Sequence, residues 1–258
     1  TKALYMHDAD TSTFVHYCFA YDLKDLAEKG LFFLNTFNYE APQHLETFVD
    51  FVKEYISFVS NRSSGACGLP NLIPYMYYFW KKDVKDGYYL RSPEYYARQQ
   101  IQRFIYAVNQ PYVRDGIQSA FTNVSIMDRE YLIGLFGGND FPDGTPIMDH
   151  IEEMIEFQKW FIEEVHKTRE EHTFTFPVLT YSLLFQDGKF VDEDFARWCN
   201  EANLYWMDSN FFVGSSVTSL SSCCRLINDT TKLSAFINSI GGTALQVGSV
   251  KVSTINLR

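Results

Sequence analysis

Long stretches of helical periodicity alternate in this chain with short runs of bulky, β-type residues. That alternation constrains the fold most, because it fits an α/β body built on a substantially parallel sheet. From Pro42 to about Ser60 the apolar residues Leu45, Phe48, Val49, Val52, Ile56 and Val59 recur at helical spacing, and the stretch NRSSGACGLPN after it reads as a loop. Ser92 is placed to cap a helix with Pro93 in its first turn, running to about Gln110 ahead of Pro111. A third helix fits Thr145 to about Glu170, where Ile147, Ile151, Met154, Ile155, Phe161, Ile162 and Val165 form a stripe and leave the acidic residues outside. Between and beyond them, Phe14–Asp22 reads as a buried strand and Thr173–Phe185 as another, with Pro177 marking an edge or an irregular end. Asp187-Gly188 is a turn, Asp192 caps a helix through about Met207, and Asn210–Val213 is a short strand.

Alternation along Phe14–Asp22 puts His16, Cys18 and Ala20 on one face and Val15, Tyr17, Phe19 and Tyr21 on the other. The Ser-rich segment 214–226 (GSSVTSLSSCCRL) has no helical period and reads as a loop with two adjacent thiols. Exposed vicinal thiols are an oxidation liability, so Cys223 and Cys224 invite a chemical explanation, with Arg225 beside them to hold a thiolate or an anionic substrate. Cys67 and Cys199 read as small buried hydrophobes, and Cys18 by itself reads the same way. With 5 cysteines and no CxxC pair, neither a disulfide framework nor a metal finger is expected, which suits a reducing, cytoplasmic setting.

Other classes fall away. Phosphate-loop, dinucleotide, zinc-protease and nucleophile-elbow motifs are missing, and the glycine pairs 137–138 and 241–242 read as turns. A net charge of −10 argues against a nucleic-acid binder, although a helix N-terminus and a few cations can still hold one nucleotide. No apolar run is long enough to span a membrane and no signal peptide is visible. The opening HDAD (His7, Asp8, Asp10) reads as a capped turn, with metal ligation as its alternative, and His150, His166 and His172 read as solvated on or beside the acidic helix. With 46% hydrophobic residues the chain can bury a large core, rich in its 23 Phe and 17 Tyr. Both ends look like cuts through a folded body, so residues 1–258 are expected to be one partial domain.

Five stretches together resemble the anaerobic (class III) ribonucleotide reductases. YMHDADTSTFVHYCFAYDLKDLAEKG resembles the turn and strand that carry an active-site Cys, and QSAFTN (Gln118–Asn123) resembles a substrate-pocket stretch. FPVLTYSLLF (Phe176–Phe185) is similar to a barrel strand, SSCCRL to the tip of the finger loop, and VSTINL (Val252–Leu257) to the strand after it. The matches fall in the family's order along nearly the whole chain.

The resemblance implies part of a ten-stranded α/β barrel of the glycyl radical enzyme type, made of two parallel halves with a central finger loop. It implies that Cys224, directly before Arg225, becomes the thiyl that takes the ribose 3′-hydrogen, after which water leaves C2′ and Cys18 supplies reducing equivalents. Cys223 is a second finger-loop thiol, and Ser119, Thr122 and Asn123 are the implied pocket residues. A sulfur radical takes hydrogen atoms reversibly, and a dry, enclosed site protects it.

The implied substrate is a ribonucleoside triphosphate, with ATP and dNTP effectors and formate or a redoxin as reductant. The implied partners are a radical-SAM activase and a second copy in a homodimer, to which the Ser92–Gln110 helix contributes; no nucleic acid or membrane is involved. The glycyl radical, a zinc site and an ATP-binding regulatory domain would all lie outside this chain, which by itself is expected to be inactive. Two adjacent thiols also match pyruvate formate-lyase-like enzymes, in which Cys18 would be dispensable, and a non-catalytic nucleotide-binding barrel is a third reading.

Overall fold

The computed structural model describes residues 4–6, 17–31, 39–113, 115–221, 227–229, 248–249 and 253–255. Its centre is a run of five parallel strands: β2 (Cys18–Ala20), β3 (Cys67–Leu69), β4 (Thr122–Met127), β5 (Val178–Gln186) and β7 (Ser209–Gly214). They lie side by side in chain order. At one edge β10 (Gly248–Ser249) pairs antiparallel with β2; at the far end of β5 the two-residue β6 (Lys189–Phe190) folds back as a hairpin. Asp187 and Gly188 make that turn, both at positive φ. β1 (Leu4–Met6) pairs with β11 (Ser253–Ile255), and β8 (Ser219–Ser221) with β9 (Ile227–Asp229), as separate two-stranded ladders.

A parallel sheet wound in one direction by right-handed crossovers puts every connecting helix on the same side. α1 (Lys24–Lys29) and α2 (Leu45–Ser60) link β2 to β3, α3 (Leu72–Asp86) and α4 (Pro93–Val108) link β3 to β4, and α5 (Arg129–Phe136) and α6 (Ile151–Glu171) link β4 to β5. α7 (Glu193–Trp206) precedes β7. The sheet therefore curls as a half-barrel; α2 packs over one face, and on the other α5 reaches Phe212 and Gly214 of β7 through Tyr131. The expected α/β class and parallel sheet are borne out.

The helical layer is tied by polar groups as well as by its apolar stripe. Ser92 and Asp192 cap α4 and α7 by accepting from the N–H groups of Tyr95 and Phe195, as their sequence positions predict. Asp83 on α3 is fully buried and accepts from His44 Nδ1 at 2.7 Å, the Leu45 N–H at 2.8 Å and the Tyr96 hydroxyl at 2.9 Å. One carboxylate thus joins the starts of α2 and α4 to α3. Gln158 on α6 bonds both the N–H and the C=O of Met127, closing the end of β4.

Several expectations need correction. Cys67–Leu69, inside the expected loop, is a central strand; three residues bonded on both sides leave no periodicity to read. α3 arises where the sequence suggests no element, since its first turns are apolar all round and include Pro74. The helix expected from Thr145 begins as a 3₁₀ turn at Ile147–His150 and becomes α-helical at Ile151. Its acidic residues do not all face outward, because Glu164 is fully buried, and His166 is buried rather than solvated. β5 is a central strand; Pro177 precedes its first paired residue, Val178, so the missing N–H costs no ladder bond. The Ser-rich segment expected as a loop contains β8, paired with β9 downstream.

Candidate active site

Strand register sorts the residues around Cys18 onto two faces. Phe19, Cys67 and Thr122 are register partners and share the helix-covered face, where Tyr21 meets Tyr55 of α2 edge-on. Cys18 and Ala20 point to the opposite face, and Ala20, Gly68, Asn123 and Val178 form one row across it. Gly68 has no side chain and Ala20 only a methyl, so the floor between the Cys18 strand and Asn123 is low. β2 and β4 are two strand spacings apart, about 10 Å.

Cys18 is buried, and its sulfur accepts a hydrogen bond from the Ala66 N–H at 3.2 Å. Asn123 donates to the Thr180 hydroxyl at 2.9 Å, and Ser125, Thr180 and Ser182 continue the same face with short hydroxyl side chains. Thr122 is buried on the other face, and its hydroxyl has no hydrogen-bond partner. Ser119 lies below the strand, its hydroxyl bonded to the Asn109 carbonyl at the end of α4. Of the three expected pocket residues, the fold brings Asn123 to the face of Cys18 and sets Ser119 and Thr122 apart from it.

Cys223, Cys224 and Arg225 lie outside the described residues, as do His7, Asp8, Asp10 and His16. The segment leading to the two thiols is firmly anchored. The Tyr131 hydroxyl donates to the Ser216 carbonyl and Gln186 to the Ser215 carbonyl. A Cβ at Gly134 would lie 2.5 Å from the Val217 side chain, so α5 must be bare there for the segment to pass. Asp128 caps α5 through the Tyr131 N–H and also accepts from the Leu184 N–H at 2.6 Å, fixing α5 against β5. Burial raises the Asp128 carboxyl above its ordinary range despite those bonds.

The other described thiols are inert by environment. Cys67 and Cys199 are buried, and burial pushes both thiols well above their ordinary value, Cys18 adding to the effect at Cys67. Among the described residues no group of three His, Cys, Asp or Glu side chains stands ready to hold a metal.

A family model for anaerobic ribonucleoside-triphosphate reductase matches residues 1–258. The chain belongs to that family. Among solved structures it is similar to the anaerobic ribonucleotide reductase from Thermotoga maritima in complex with dATP and CTP. That match has 44% identity and a TM-score of 0.84, and covers 98% of this chain and 41% of the other. The same enzyme with dATP bound in the specificity site matches at 43% identity and TM-score 0.85, over 98% and 42% of the two chains. A further anaerobic ribonucleotide reductase matches at 43% identity and TM-score 0.85, over 98% and 39%. The chain thus spans about two-fifths of the length of the reductases it matches. No curated protein matches it.

The described part of this reductase-family chain holds two further polar features that sequence reasoning missed. At the start of β7, Asp208 receives Arg169 at 3.2 Å, His166 at 3.4 Å and the Ser209 hydroxyl at 2.9 Å, with Trp206 stacked on His166. The hydrogen bonds from His166 and Ser209 and the charge of Arg169 hold its carboxyl below the usual range in spite of burial. On the outer side of α3, a cavity of about 310 Å³ is lined by Tyr77, Tyr78, Lys81, Lys82, Lys85 and Phe141, among others. Lys81 pairs with Glu153 and Lys82 with Gln43, whereas Lys85 has no partner among the described residues. The i, i+4 spacing of Lys81 and Lys85 was the readable signal. No described helix is long and apolar enough to cross a membrane.

Proposed function

We propose that this chain forms part of the catalytic barrel of an enzyme that reduces ribonucleoside triphosphates to 2′-deoxyribonucleotides by thiyl-radical chemistry. The observation that carries the reading is the Cys18 thiol beside Asn123 on one face of a parallel half-barrel, in a chain of this family. A glycyl radical held elsewhere in the polypeptide, made by a radical-SAM activase, supplies the oxidising equivalent. Cys224 takes the ribose 3′-hydrogen, with Cys223 beside it. Loss of water from C2′ follows, and Cys18 delivers hydrogen to the sugar; formate or a redoxin supplies the two electrons that balance the reduction.

Asn123, on the face of Cys18, holds the substrate directly, and Ser119 and Thr122 support the strand that carries it. ATP and dNTP effectors regulate the whole enzyme, with the ATP-binding regulatory domain outside this chain. The working enzyme is a cytoplasmic homodimer, with the zinc site outside this chain.

The test uses the full-length enzyme, activated anaerobically. Cys18→Ser and Cys224→Ser should each abolish deoxynucleotide formation while the glycyl radical signal persists. Near-normal turnover of Cys18→Ser sinks the assignment, and the additional loss of activity in Cys223→Ser would then point to an acyltransferase of the pyruvate formate-lyase kind.

A further inference from the structure

The loop before β3 does more than connect. It runs beside β2, accepting from the Phe19 N–H through the Ala66 carbonyl at 3.0 Å, and turns the Ala66 N–H onto the Cys18 sulfur at 3.2 Å. A Cβ on Gly65 would lie 2.5 Å from that sulfur, closer than real Cβ atoms approach any heavy atom. The same Cβ would also meet the Tyr17 carbonyl, which is backbone and cannot swing aside. The sulfur therefore sits between a donor it needs and a position that must remain bare.

We propose that Gly65 and the Ala66 backbone amide position the Cys18 sulfur, through an N–H···S bond in a seat that admits no side chain at residue 65. The amide occupies a lone pair of the sulfur, so the thiol hydrogen is turned away from the loop. In this family's reaction that hydrogen is the one to be delivered, so its direction sets the rate of the chemical step and leaves substrate affinity alone. The kinetic consequence rests on the reading of Cys18 as the reducing thiol; the contact itself does not.

The experiment compares the full-length enzyme with Gly65→Ala and Ala66→Gly. Both kinetics and the S–H stretching band of Cys18 are recorded, the band identified by its loss in Cys18→Ser. Gly65→Ala should lower kcat at least tenfold with KM within twofold of wild type, and shift the band. Ala66→Gly keeps the N–H and should leave kcat within twofold and the band in place. An unmoved band in Gly65→Ala overturns the proposal, whatever happens to kcat; so does a shifted band with kcat within twofold.

Should Gly65→Ala not fold, Cys18→Ala tests the same contact. Exchange of the Ala66 amide hydrogen should then speed at least tenfold, and unchanged exchange overturns the proposal. Normal turnover of Cys18→Ser would instead defeat the functional reading, while the band and the exchange rate would still report the contact.

Discussion

Glu164 offers the sharpest test of the helical layer. It lies on α6 facing α4, fully buried, and neither carboxylate oxygen has a hydrogen-bond partner. The nearest cations are at the limit of ion pairing, Lys167 at 3.9 Å and Arg98 at 4.0 Å. Arg98 is already held by Glu94 at 2.8 Å and Glu163 at 2.6 Å. Burial dominates and raises the Glu164 carboxyl above its ordinary 4.5. A raised acid in the folded state is harmless at low pH, where folded and unfolded chains both hold the proton. Stability is then lost as the pH climbs from about 4.5 through the folded value, by up to about 1.4 kcal/mol per pH unit between the two.

Glu164→Met removes the buried polar group at similar volume, and an unsatisfied buried group costs about 1–3 kcal/mol. At pH 7 the variant should therefore be more stable by about that amount, a rise of roughly 2–10 °C in melting temperature for a chain of this size. Glu164→Gln should flatten the pH dependence but recover less, since its amide is still unpartnered. Thermal melts of the three proteins from pH 5 to 8 make the comparison. A Glu164→Met protein less stable than wild type at pH 7, or parallel pH profiles for all three, would refute the account.

Asp83→Ala strands the Leu45 N–H and the Tyr96 hydroxyl and should cost about 3 kcal/mol, read as a lower denaturant midpoint. Asn123→Ala should raise KM for the ribonucleotide about tenfold, the worth of one well-placed hydrogen bond, whereas Thr122→Val, on the helix-covered face, should change it less than twofold. Tyr131→Phe deletes the bond to the Ser216 carbonyl, at about 1 kcal/mol, and should speed proteolytic cleavage between Gly214 and Thr218. Cys67 and Cys199, whose thiols are held protonated by burial, should resist alkylation at pH 8 in the native protein and react once it is unfolded, as peptide mass spectrometry would show.

What could be read from the sequence was local. Ser92-Pro93, Asp192 and Asp187-Gly188 act within a few residues of themselves, and the stripes of α2 and α6 repeat over several turns. β3 could not be read, because three residues make a strand only through partners on either side, and the all-round apolar start of α3 has no stripe to mark it. Glu164 and His166 were misjudged by residue type, since only packing against α4 and β7 turns them inward.

At the site, alternation correctly separates Cys18 and Ala20 from Phe19. The same rule applied to QSAFTN shows that Thr122 and Asn123, as neighbours on one strand, cannot both face one pocket. The amide that meets Cys18 comes from 48 residues away and leaves no trace in either local pattern.

The two faces of the half-barrel have different chemistry for a reason that reaches back to its winding. Parallel sheets are ordinarily covered on both sides, and their strands are then apolar throughout. Here Val124, Ile126, Leu179, Tyr181 and Leu183 satisfy the helix-covered face, as that rule requires. The opposite face carries Cys18, Ala20, Asn123, Ser125, Thr180 and Ser182, short and mostly polar, with Gly68 bare among them, and is apolar again at Met127, Leu184 and Phe212. Short polar side chains forgo apolar contact between β2 and β5, and they are nevertheless buried, so each needs a partner of its own, as Asn123 has in the Thr180 hydroxyl.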